Sequence, residues 1–170
     1  LGRERELLGL EFEIEQRKIA AEEEKKASEE TKKRLTSEAK EIQYNAALEV
    51  KRGQDEEQRI QQQGAAEIAN ANSSRQKMLA QMGMEDDLHR KRMQNIEAQY
   101  QAQLAAFKVT EAGLDPANAD AARQLAHDKQ MARIDFEMQK NAELEAQKVR
   151  IANNDKMRLQ QTIAEINEYM

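Results

Sequence analysis

In a chain of 170 residues, Leu, Ile, Val and Phe number only 29, below the ~20% that a compact globular core requires, whereas Ala, Glu, Lys, Leu and Arg fill 90 positions, slightly over the ~50% that marks long helices and coiled coils. The 27 basic and 32 acidic side chains are interleaved, for a formal net charge of −5, so no one-signed field is present to draw in nucleic acid or an anionic surface. With no cysteine there is neither a disulfide nor a thiolate metal site, and no apolar run approaches the ~18 residues of a membrane span.

The first predicted element runs from 1 to 82 as a long charged helix. Within "EEEKKASEETKKRL", Glu22 and Lys26, Glu29 and Lys33, and Glu30 and Arg34 stand four apart, pairs worth only ~0.2–0.5 kcal/mol each, which support a solvated helix without giving it a core. The Glu22–Lys40 stretch therefore reads as a spacer. From Leu35 onward small and apolar residues recur at Ala39, Ile42, Ala46 and Val50, then at Ile60, Gly64, Ile68, Ala71, Met78 and Met82. Steps of three, four and seven make this a narrow seam that asks for a partner. Gly53 and Gly64 lie on or near it, and each costs about 1 kcal/mol against Ala inside a helix, so the middle of the stretch is either soft or closely approached.

The second element spans 84 to 112. Gly83 can terminate the first helix, with Glu85, Asp86 and Asp87 suited to a new N-terminus and with Asp86–Arg90 and Asp87–Lys91 at helical spacing, so both a bend and a straight passage are open at this point. Met93, Ile96, Tyr100, Leu104 and Phe107 then follow steps of 3, 4, 4 and 3, the most apolar face in the chain.

The only proline sits in "TEAGLDPANAD". Gly113 can take the left-handed conformation that closes a helix, Asp115 can accept from the open amides of the next, and Pro116 fits a first helical position. A joint is expected at Gly113–Pro116, followed by a third helix over 115 to 170. That helix carries Leu125, Met131, Ile134, Met138 and Ala142 on one face, continued by Leu159, Ile163, Ile166 and Met170. A joint this short either folds two helices antiparallel or links collinear rods.

Residues able to do chemistry are sparse. His89 and His127 are the only imidazoles, and although Asp86 precedes His89 by one turn, two isolated histidines on charged helices read as solvated side chains. "HRKR", His89 to Arg92, has the charge to touch phosphate, but its acidic neighbours make an ion-paired face. The sequon Asn72-Ser73-Ser74 falls inside a helical pattern, which argues against its use. No metalloprotease helix, glycine-rich phosphate loop or nucleophile elbow occurs. No catalytic residue, cofactor or metal is expected, and the eight Met read as packing residues.

Two stretches carry a family resemblance. "RERELLGLEFEIEQRKIAAEEE" and "IEAQYQAQLAAFKVTEAGLDPANADAARQLAHDKQMARIDFEMQKNAELEAQKVRI" resemble the helical segments of phage tail tape measure proteins, Ala-, Gln- and charge-rich helices broken by short Gly, Asp and Pro joints. The resemblance implies an all-α extended structural protein, a segment of something longer, that fills the tail tube or tail tip of a virion, sets tail length and leaves ahead of the DNA. It implies a homo-oligomer, most often a trimer, with tail tube or tail tip proteins as partners and no sequence-specific nucleic acid contact. The expected interface is the pair of seams, Leu35, Ile42 and Val50 with Met93, Ile96, Tyr100, Leu104 and Phe107. "NAALEVKRGQDEEQRIQQQGAAEIANANSSRQKMLAQMG", Asn45 to Gly83, also looks like the helical part of phage internal virion or DNA-ejection proteins. A third reading is a cellular coiled-coil scaffold or stalk, which would place the chain in the cytoplasm.

Overall fold

In the computed structural model, which describes Gly2 to Met170, the chain forms three helices: α1 (Gly2–Asn70), α2 (Ser74–Ala112) and α3 (Ala119–Tyr169). Among the described residues there is no strand, so the all-α class expected from composition holds. The central helix, α2, packs on both neighbours, and the α1 and α3 backbones do not approach each other closely, although Glu143 of α3 lines one groove together with α1 residues. Both pairs are antiparallel. Gly113, just past the end of α2, stands beside Leu35 of α1, while Met84 near its start meets Gly64. On the other side Glu111 is paired with Lys129 near the start of α3 and Arg75 with Glu165 near its end.

The first reversal falls at Ala71–Ser73, inside the stretch expected to be one helix from 1 to 82, and the chain passes Gly83 without a break. In the run Asn70-Ala71-Asn72-Ser73, Asn and Ser side chains compete with the helix for backbone hydrogen bonds. Ser73 takes an extended conformation and its hydroxyl accepts from Gln76 N at 3.1 Å, while Gln76 Oε1 accepts from Asn72 N at 2.9 Å. This reciprocal arrangement is a variant of the capping box. Gly83 sits inside α2 with helical backbone and open space around it.

The second reversal also departs from its expected chemistry. Gly113 has φ −90° and ψ −1°, right-handed rather than left-handed, and its N–H reaches both Val109 O and Thr110 O. Asp115 does not cap α3. Its carboxylate accepts from Ala117 N at 3.0 Å, and its carbonyl accepts from Asn118 N at 3.0 Å, a turn with proline at the second position where its fixed φ fits. The cap is Asn118, whose side chain accepts from Ala121 N at 3.1 Å, so the third helix begins at Ala119 and not at Pro116.

Because α2 is 39 residues long and α1 is 69, α1 outruns its partner. Residues 2 to 34 are exposed throughout, an overhang of about 50 Å at 1.5 Å per residue. The i,i+4 pairs Glu22–Lys26, Glu29–Lys33 and Glu30–Arg34 are not closed there. Nothing packs on these side chains, and holding two long exposed chains together costs about as much entropy as the pair returns. The buried apolar side chains are few: Met82, Leu88, Leu125 and Ala132, with Gly53 and Gly64 enclosed beside them.

Candidate interface surfaces

The seam read from α1 turns toward α2 of the same chain. Leu35, Ala39, Ile42, Ala46, Val50, Ile60, Ile68 and Ala71 are half-buried, and Gly53 and Gly64 are buried. At both glycines a side chain of α2 occupies the space a Cβ would need. Asn95 fills it at Gly53, and Met84 at Gly64, where even its own Cβ would come within 2.8 Å. Of the two alternatives the sequence left open, close approach is the one adopted. Met93, Ile96, Tyr100, Leu104 and Phe107 are likewise half-buried. Ile96 faces Ala46 and Val50 across a groove of ≈ 290 Å³, Phe107 faces them across a second groove, and the Tyr100 ring stacks on Phe136 of α3 with centroids 4.2 Å apart. Of the eight residues expected at an interface between copies, Leu35, Val50, Ile96, Tyr100 and Phe107 thus face other parts of the same chain, and Ile42, Met93 and Leu104 are half-buried with them. Met78 and Met82, read as the end of the α1 seam, belong beyond the break and face Met157 of α3.

The α1–α2 junction also carries polar clasps. Lys91 is ion-paired with Glu56, and Asn95 Nδ2 donates to Glu57 Oε1 at 3.3 Å. The Lys91 hydrogen bond, first, and the attraction of Lys91, Arg59 and Arg52 hold the Glu56 carboxyl below the ordinary glutamate value, against an opposing push from burial.

The α2–α3 junction is more polar still. His89 Nδ1 lies 3.0 Å from Glu143 Oε1, and Arg150 Nη2 approaches the same oxygen at 3.4 Å while also pairing with Gln147. Arg150 Nε is buried without a partner. Asp86 accepts from Gln147 rather than sharing a ligand with His89, and His127 is exposed on α3. No group of three or more His, Cys, Asp or Glu converges among the described residues. Of "HRKR", His89, Arg90 and Lys91 are engaged by Glu143, Asp87 and Glu56, and Arg92 lines the groove beside Ile96. The sequon lies in the exposed α1–α2 turn, not within a helix, because the Ser73 cap sits inside it.

Sequence reasoning placed one apolar face on α3, and the structure divides it. Leu125 points at α2 and is buried. Met131, Ile134, Met138, Leu159, Ile163 and Ile166 are 40 to 65% exposed. The side of α3 turned to α2 is instead Ala132, Phe136, Glu143, Gln147 and Arg150. At 3.6 residues per turn it lies roughly half a revolution from the exposed set. The overhang has its own exposed apolar residues, Leu7, Leu8, Leu10, Phe12, Ile14 and Ile19, distributed around much of the helix. None of the described helices is long and apolar enough to cross a membrane.

No protein-family model, curated protein or solved structure matches the chain.

Proposed function

We propose that the chain is a structural helical element without catalytic activity, a segment of a phage tail tape measure protein that assembles with copies of itself and works within a tail tube or tail tip, its location being the virion. In this reading α1 and α2 form an intrachain coiled coil, the reversal at 113–118 is a joint, and the protein's partners are its own copies and the tail proteins. The observation that carries the structural role is the combination of a minimal core with large unpartnered apolar faces. Four buried apolar side chains do not seal a pocket in which a carboxylate or imidazole could be desolvated for catalysis, and elements with open apolar faces are completed by assembly.

Supporting the ruler is the overhang, a charged helix whose side chains are all exposed. Length there follows residue count at ~1.5 Å per residue, whereas in the folded-back part it does not. Deleting residues 22–32, about three turns, from a tail built with this chain is expected to shorten it by ~1.5 Å per residue removed, in steps of the tube's ring repeat. Electron micrographs showing tails of unchanged length would contradict the ruler.

A second reading, a cellular scaffold or stalk, is favoured by the two reversals of direction, which a ruler does not need and a binding platform can use. The ejection-protein reading shares this feature. In either, deletions in the overhang change reach but leave no length register.

A further inference from the structure

The exposed stripe on α3 has an internal symmetry. Its apolar residues form two clusters, Met131, Ile134 and Met138, then Leu159, Ile163 and Ile166, and the spacing of the first, three then four, is the reverse of the second, four then three. Laid antiparallel against itself, the helix therefore meets its own pattern. Met131 falls opposite Ile166 of a second copy, Ile134 opposite its Ile163, and Met138 opposite its Leu159, with the two-fold axis passing between Lys148 and Val149. We propose that this outer face of α3 is a homodimer interface, in which two copies pair antiparallel about that axis.

Three observations carry the proposal. The stripe faces away from α2, and the α1 backbone does not approach α3 closely, so no part of the chain covers it. All six side chains are exposed by 40% or more, with Val149 at the centre 57% exposed. Six apolar positions that pair with one another about a single axis fit an isologous contact, in which each residue is used once on each copy, whereas an unrelated partner would impose no such symmetry; Val149 and Met170 on the same face fall opposite Lys148 and His127. Charge agrees with the register. Between the clusters, Glu145 of one copy lies opposite Ala152 and among Lys148, Asp155 and Lys156 of the other, an excess of positive charge around each Glu that the axis repeats. Ala142 and Ala152 keep the centre narrow enough for the helices to approach. Met131 to Ile166 span about 50 Å of helix at 1.5 Å per residue, a contact of about five heptads. The overhang of α1 offers no comparable match, because its apolar residues are spread around the helix.

This dimer deepens the reading of the chain as self-assembling and does not depend on the tail. Because the protein has no cysteine, register can be tested directly. The variant carrying both Ile134→Cys and Ile163→Cys places two thiol pairs in contact across the axis. Within one chain the two positions are about 44 Å apart along the helix and cannot join. Oxidation with copper–phenanthroline is expected to convert the double variant to covalent dimer, while Ile134→Cys alone stays uncrosslinked. Dimer from the single variant would mean parallel pairing and would overturn the proposal. Sedimentation equilibrium of the unmodified chain should show a dimer, and Ile134→Asp should raise its dissociation constant by about a hundredfold or more, because each copy then buries an unpaired charge against isoleucine. Circular dichroism unchanged in Ile134→Asp excludes unfolding as the cause, since the position is outside the intrachain contacts. A monomeric unmodified chain would overturn both this interface and self-assembly, whereas an oligomer indifferent to Ile134→Asp would overturn this interface alone.

Discussion

At Gly64 two residue-level effects oppose each other. Adding a methyl group in a helix interior gains about 1 kcal/mol of propensity, but the space is held by Met84, whose own Cβ would lie 2.8 Å from the new atom. Backbone-proximal atoms cannot swing away, so Gly64→Ala is expected to lower the melting temperature despite the better propensity. Gly64→Ala combined with Met84→Ala should recover only part of the loss, because Met84→Ala sheds the Sδ and Cγ contacts but keeps the Cβ, a non-additivity that a double-mutant cycle by thermal denaturation reads directly. Glu56 gives a pH signature. Its folded-state pKa is lowered, chiefly by the Lys91 hydrogen bond, so its stabilisation is present above the ordinary glutamate value and fades as pH falls through the lowered folded one. Glu56→Gln should therefore lower the melting temperature at pH 7 and have a smaller effect at pH 3. Equal effects at both values would show that the Lys91 contact contributes nothing through charge.

Among the elements, α2 depends most on its ends. Ser73→Ala removes the oxygen that accepts from Gln76 N and is expected to cost about 1 kcal/mol in urea denaturation, the usual magnitude of a lost N-cap. Removing residues 2–28 should, by contrast, leave the unfolding midpoint of the remainder unchanged, because none of them is buried in the fold. A destabilised truncation would reveal contacts that the three-helix arrangement does not contain. These ends also explain what was legible in the sequence. The seam from Leu35 to Ile68 was readable because a 3.6-residue period marks whichever face is buried. The break within it was hidden because Ile68, Ala71, Met78 and Met82 keep helical steps of three, seven and four across Asn72-Ser73. Ser73-Ser74-Arg75-Gln76 was the available signal, a capping-box spacing masked by unbroken periodicity. Likewise Asn118 is a better cap than Asp115, whose side chain is already committed to the turn over Pro116.

For the whole molecule, periodicity shows that a face is covered but not by what. The seams on α1 and α2 were read as contacts between copies. Within one chain the α1 seam turns toward α2, and the α2 seam is divided between grooves shared with α1 and the Tyr100–Phe136 stack on α3, because the Ser73 cap reverses direction where a continuous helix was expected. The reverse holds on α3, where residues read as one packed face are exposed and a polar set, His89 with Glu143 and Arg150 among them, joins the helix to α2. That contact was not legible, since neither Glu143 nor Arg150 stands out in so charged a chain. The central claim is that the chain folds back on itself, and one distance tests it. Lys40 on α1 and Lys108 on α2 are exposed and lie side by side in the antiparallel register. Spin labels on cysteines at these two positions, in chain diluted into an excess of unlabelled protein, should give an electron–electron separation below about 30 Å, an interhelix spacing of ~10 Å plus the label arms. A separation near 100 Å, the length of the intervening 68 residues as one straight helix, or a short distance that vanishes on dilution, would contradict it.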